Sequence, residues 1–212
     1  LDRAIELLES VVKRDPNFGI AHGMLGELYW SAYGIDGDEV AEEQAQESLL
    51  EAMRLDPEDP EVRVQLALIY ADTGRLEAAL DELSRVIESH PAKDWAYRLR
   101  ARILIERGEI EQARADVERA VELRPNLGAS YDWLGFFYVS AGQYPEAIAA
   151  FTRGVELEPD SPDMVANLGD AYLRNGDRDL ALQALSRSIE LGPNSRAYMS
   201  LGMLHRSEGR MT

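Results

Sequence analysis

The side chains in this sequence best suited to chemistry are suited to recognition. Arg98 and Arg102 stand one helical turn apart and follow closely on Trp95; Trp133 and Phe136 form a similar cluster, with Asn167 and Asp170 beyond them and Trp30 ahead. Tryptophan and arginine offer a large apolar face and a planar, delocalised cation, the combination from which binding hot spots are built. On one surface they suit an extended peptide or helix that carries an acidic residue beside an apolar one. Each tryptophan also has a plainer use, as packing against a neighbouring helix.

Reactive chemistry has little to draw on. The chain has no cysteine, which removes disulfides, thiolate nucleophiles and cysteine zinc sites together. His22, His90 and His205 are far apart, and no glycine-rich phosphate loop follows a strand pattern. We therefore expect no catalytic residue, no metal ligand and no cofactor, hence no enzyme. The acidic turn around Gly34, Asp36, Gly37 and Asp38 lacks the twelve-residue ligand spacing of a calcium loop, and reads as an insertion that lengthens its flanking helices.

The 212 residues carry 22 basic and 39 acidic side chains, a formal charge of −17, with 45% hydrophobic residues. That apolar share supports a packed core rather than disorder. The charge repels nucleic acid, whose binding draws on clustered Lys and Arg. No run approaches the roughly 18 apolar residues of a membrane span. The chain opens on Leu1 and reads as lacking its true N-terminus; location is left open, with cytoplasm the favoured expectation.

The elements that position these residues are announced by punctuation. Pro16, Pro57, Pro91, Pro125, Pro159 and Pro193 are separated by 41, 34, 34, 34 and 34 residues, and Gly74, Gly108, Gly142 and Gly176 also recur every 34. Between each glycine and the next proline the apolar residues fall at three- and four-residue spacing, as in Ala147, Ile148, Phe151 and Val155. A second helical pattern lies between each proline and the next glycine. Proline stops one helix and glycine turns the chain between two, so the unit is an antiparallel helix pair, repeated.

Tyr131, Leu134, Gly135, Tyr138, Ala147, Phe151 and Pro159 resemble the tetratricopeptide repeat pattern W-x2-L-G-x2-Y, A-x3-F, P. The match recurs at His22, Leu25, Gly26, Tyr29, at Val165, Leu168, Gly169, Tyr172, and at Tyr198, Leu201, Gly202, His205. The resemblance implies an all-α, right-handed superhelical solenoid of antiparallel helix pairs, about twelve helices, with the first helices lining a concave groove. It divides a single array 1–212 into a half repeat 1–18, a repeat 19–59 with a seven-residue insertion, repeats 60–93, 94–127, 128–161 and 162–194, and a half repeat 195–212. Ile5, Leu8, Tyr198 and Leu201, at the two ends, are expected to lack a neighbour.

Two departures stand out. Arg100 occupies a position held by leucine in most repeats, and a buried guanidinium needs a carboxylate; Asp116 on the following helix is the expected structural partner. One residue is missing between Pro193 and Gly202, which shortens the loop before the last helix.

After the packing positions are removed, the first helices expose Ile20, Met24, Glu27 and Trp30; later Trp95, Arg98 and Arg102; then Asp132, Trp133 and Phe136; then Asn167, Asp170 and Arg174; then Arg196, Met199 and Met203. The resemblance implies a non-catalytic protein-interaction scaffold that binds a partner's peptide or helix in the groove, with no nucleic acid and no membrane span. The family's chaperone-tail clamp is not expected, since of the places it needs only Asn167 fits. Two alternatives remain: a regulatory segment of a larger bacterial signalling enzyme of kinase or cyclase type, whose repeat arrays this one resembles, and a homo-oligomer joined through its open ends.

Overall fold

The structure, a computed structural model, describes residues 1–36 and 39–208, without the side chains of Asp36, His205, Ser207 and Glu208. Among the described residues it holds twelve helices and no strand. They fall into two compact units, Leu1–Ala96 and Tyr97–Thr212. The first contains α1 (Asp2–Arg14), α2 (Gly19–Asp36), α3 (Glu39–Leu55), α4 (Pro60–Asp72), α5 (Leu76–Ser89) and the start of α6 (Asp94–Glu106). The second contains the rest of α6, then α7 (Ile110–Leu123), α8 (Gly128–Ser140), α9 (Tyr144–Leu157), α10 (Pro162–Asn175), α11 (Arg178–Leu191) and α12 (Ser195–Glu208).

The turns inside the helix pairs use glycine for a conformational reason. Gly74, Gly108, Gly142 and Gly176 have φ of 77°, 77°, 71° and 93°, the left-handed region that side chains disfavour. The connections between pairs leave carbonyls without helical partners, and the next first helix supplies a donor. His22 Nε2 bonds Pro16 O at 3.0 Å, Tyr131 Oη donates to Pro125 O at 3.1 Å, and Arg63 Nη2 donates to Pro57 O. All three donors sit six residues after their proline. His22, at a register where an aromatic core residue belongs, is half-buried and does the same work as Tyr131.

Within each pair the helices touch where a side chain is missing. A Cβ on Gly26 would lie 2.5 Å from Leu49 Cγ, one on Gly135 2.5 Å from Phe151 Cε1, and one on Gly169 2.7 Å from Leu185 Cγ. Ala45, Ala147 and Ala181, one turn before those large residues, are fully buried. The insertion lengthens α2 and α3 to 18 and 17 residues, where the other helices have 13 or 14. Gly37 and Asp38, with the Asp36 side chain, lie outside the described residues, and with them the calcium reading. Three residues, 192–194, join α11 to α12, where four join α9 to α10.

The first end differs from its expectation. Ile5, Leu8 and Val12 pack against the cluster of Leu25, Tyr29 and Leu49, because their spacing turns all three toward α2; Tyr29 Oη also donates to Glu9 Oε1 at 2.6 Å. At the other end Leu201 packs with Leu185, Ala197 and Leu204, while Tyr198 is exposed.

Arg100 and Asp116 meet in a two-pronged ion pair, Nε to Oδ2 and Nη2 to Oδ1 both at 2.7 Å, with Asp116 buried. The preceding pair of helices holds a second arginine–carboxylate bridge, single-pronged, that sequence reasoning missed. Arg63 Nη1 lies 2.5 Å from Glu82 Oε2, with Arg63 buried. Glu82 and Asp116 occupy the same register, nine residues before their prolines, where Ala150 and Ala184 stand in later repeats. The carboxylate appears in the two repeats whose first helix brings an arginine inward.

Candidate functional site

In the unit from Tyr97 onward, α8, α10 and α12 are first helices, and their free faces form a groove of about 660 Å³. Its apolar floor comes from Phe136, Val139 and Phe151. Phe136 meets Phe151 edge-on, centroids 5.5 Å apart at 87°, and leans on Trp133 at 5.7 Å and 53°. Met199 and Met203, one turn apart on α12, stay 64% and 58% exposed and form an apolar wall. Methionine is unbranched and polarizable, so such a wall adapts to different ligand side chains.

Across this floor runs a polar ladder. Asn167, only 5% exposed, is a buried amide and needs partners. Its Nδ2 donates to Asp132 Oδ1 at 2.8 Å, and its Oδ1 accepts from Arg196 Nη1. Arg196 is thereby held with its guanidinium carbon 5.6 Å over the Phe136 ring. Ser200 Oγ donates to Asp170 Oδ1 at 2.5 Å one turn further along. Asn194 donates to Asp163 at 2.7 Å and accepts from Ala197 N at 2.9 Å, which caps the start of α12 and fixes the position of Arg196. Arg174 and Arg206 add exposed cations to the rim.

Burial pushes the Asp132 carboxyl above the usual carboxylate range; the Asn167 bond and the Arg196 charge oppose this, while Asp163 and Glu158 add to it. A carboxyl whose pKa is raised by folding binds protons more readily in the folded chain than in the unfolded one. Its ionisation therefore lowers stability as pH rises from the ordinary aspartate pKa through the raised one. Asp132→Asn keeps an acceptor for Asn167 and removes this effect. Urea titrations should find the variant within about 1 kcal/mol of the parent at pH 7, and its stability relative to the parent should fall as pH is lowered through that window. A relative stability that rises instead would mean that the charge of Asp132 supports the fold.

Of the residues that the sequence singles out for binding, the groove brings together Phe136, Asn167 and Asp170, with Trp133 half-buried behind Phe136. Arg98 and Arg102 on α6 lie outside its lining; both are half-buried, with their Nε atoms fully covered. Trp95 and Trp30 belong to the other unit. Lys93 Nζ stands 5.6 Å over the Trp95 ring, and Trp30 stacks on Tyr33 at 4.9 Å and packs against the first unit's core. Val139, Ser200 and Arg206 went unmarked by sequence reasoning. The signal that could have drawn attention to this end is Asn167, an amide at a register where burial demands donors and acceptors from the helices on either side.

Family models described as tetratricopeptide repeat match residues 42–103 and 138–204 in one case and 98–162 in the other. No curated protein matches the chain. Among solved structures, a tetratricopeptide repeat protein from Parabacteroides merdae is 16% identical, covering 96% of this chain and 78% of that one, with a TM-score of 0.79. TTC0263, a thermophilic protein of the same kind from Thermus thermophilus, is 22% identical over 84% of this chain and 95% of its own, with a TM-score of 0.70. YrrB, described as having an unusual peptide-binding site, is 19% identical over 93% of this chain and 99% of its own, with a TM-score of 0.61. At these identities the likeness is one of fold.

Proposed function

The chain belongs to the tetratricopeptide repeat family, whose fold serves as a protein-interaction scaffold, and on that premise we propose that it captures a partner's peptide non-catalytically in the groove of α8, α10 and α12. The peptide carries a carboxylate beside an apolar side chain. The observation that supports this reading is Arg196, held over Phe136 by Asn167 and Asp132 before any ligand arrives. A cation fixed in advance loses little side-chain freedom on binding, and a carboxylate meeting it forms a charge-assisted bond at the edge of an apolar floor. Phe136, Met199 and Met203 then cover the neighbouring apolar side chain. YrrB, with its peptide-binding site, gives a precedent in a related fold.

The test is a fluorescence-anisotropy titration of the full chain with a short labelled peptide of alternating leucine and aspartate. Arg196→Glu should weaken binding by at least about tenfold, the equivalent of about 1.4 kcal/mol. Arg153→Glu makes the same charge change at an exposed position on α9, paired with Glu156, and should leave binding within about twofold of the parent. Equal affinities for the parent and Arg196→Glu would remove the site from this groove.

A further inference from the structure

We propose that the Leu1–Ala96 unit carries a second binding site of opposite character, a groove beside α2 and α4 that takes a segment presenting arginine or lysine next to an apolar side chain. The opening is about 400 Å³ and is floored by Val62 and Leu49. Ile20 and Met24, one turn apart on α2, line it while 66% and 51% exposed, an apolar ledge open to solvent. Solvent-facing apolar pairs beside a depression are a feature of docking surfaces.

The charge around this ledge fixes the kind of occupant. Glu27, Asp59 and Glu61 all border the opening, and among the described residues no arginine or lysine lines it. The start of α4 would otherwise attract an anion, but Asp59 Oδ1 already accepts from Glu61 N at 2.9 Å and Val62 N at 3.4 Å, so that end of the helix is satisfied within the chain. Lys93 Nζ approaches Glu61 Oε1 only at 3.4 Å, with Glu61 exposed and Lys93 half-exposed, an ion pair worth little. Glu27 is exposed, one turn from Met24. An incoming guanidinium or ammonium is attracted by these carboxylates while its apolar neighbour covers Ile20 and Met24. An acidic segment meets like charge at Glu27, Asp59 and Glu61. This site differs from the arginine-lined groove in unit, in residues and in ligand charge, and stands without it.

The 212-residue chain carrying ¹³C-methyl methionine is titrated with a peptide of alternating leucine and arginine. The Met24 signal should shift while those of Met199 and Met203 stay in place, and the leucine–aspartate peptide should leave Met24 unmoved. Because a chain of charge −17 attracts any cationic peptide, Glu27→Lys is compared with Glu146→Lys, the same change on the exposed face of α9. The site requires at least about a tenfold loss of affinity for Glu27→Lys, about 1.4 kcal/mol, and less than about twofold for Glu146→Lys. An unmoved Met24 at saturating peptide, or equal losses in the two variants, would overturn it. Arg196→Glu should not weaken the leucine–arginine peptide, so the two proposals succeed or fail separately.

Discussion

Replacing Arg100 by leucine should destabilise the chain by about 3 kcal/mol, and replacing Asp116 by alanine in the same molecule should recover most of that loss. Asp116 is buried, and both its oxygens are bonded to the Arg100 guanidinium. Removing the arginine alone leaves a carboxylate without its counter-charge against Val117 and Ala113, both fully out of solvent. Removing both partners leaves leucine opposite alanine, the combination that the chain itself uses at Leu134 with Ala150 and at Leu168 with Ala184. Urea denaturation of the two single variants and the double variant gives the coupling directly. We expect a double variant within about 1 kcal/mol of the parent and a coupling energy of about 2 kcal/mol or more. Additive losses would mean that the two side chains do not depend on each other.

The second large effect separates two glycines that the sequence presents as equivalents. Gly135→Ala places a methyl group 2.5 to 2.6 Å from three atoms of the Phe151 ring. That ring is buried and meets Phe136 edge-on, so admitting the methyl means displacing a packed aromatic pair, and a loss of up to about 3 kcal/mol is expected. Gly202→Ala meets nothing within 4 Å. It should stabilise α12 by up to about 1 kcal/mol through helix propensity alone. Thermal unfolding should therefore move in opposite directions for the two substitutions. Because Phe136 and Phe151 floor the groove, Gly135→Ala should also weaken the leucine–aspartate peptide. Loss of stability in both would contradict the packing at Gly202.

Much of the helical framework was legible because proline and glycine act on the backbone itself. A missing N–H and a left-handed turn need no knowledge of neighbours, so Gly74, Gly108, Gly142 and Gly176 could be placed from spacing. The Arg100 and Asp116 pairing was legible for a related reason: a charge at a leucine register has to be answered nearby. Arg63 escaped the same logic because it stands where His22 and Tyr131 stand, a register open to any long donor that reaches the preceding proline carbonyl. The clue was Glu82, at the same register as Asp116.

The groove was only partly legible. Sequence periodicity shows which side chains share the free face of a first helix, and it put Phe136, Asn167, Asp170, Arg196, Met199 and Met203 there. It does not show which of them are already engaged. Trp30 stacks on Tyr33 and Trp133 leans on Phe136, so tryptophans that suggest open recognition surface are half-buried supports. The positioning of Arg196 depends on Asn167 and Asp132, a chain of bonds that joins α12, α10 and α8 and follows no fixed spacing. The first end departs from expectation for a simpler reason. Ile5 and Leu8 lie on α1, and helical geometry turns them with Val12 toward α2, which gives them a neighbour.

The groove of α8, α10 and α12 carries the central claim, and the methionines report on it directly. In a ¹³C-methyl methionine spectrum of the full chain titrated with the leucine–aspartate peptide, Met199 and Met203 should shift together and saturably, with Met24 and Met53 unmoved, and Arg196→Glu should abolish the shifts at the same peptide concentration. Binding that saturates while Met199 and Met203 stay still would contradict it.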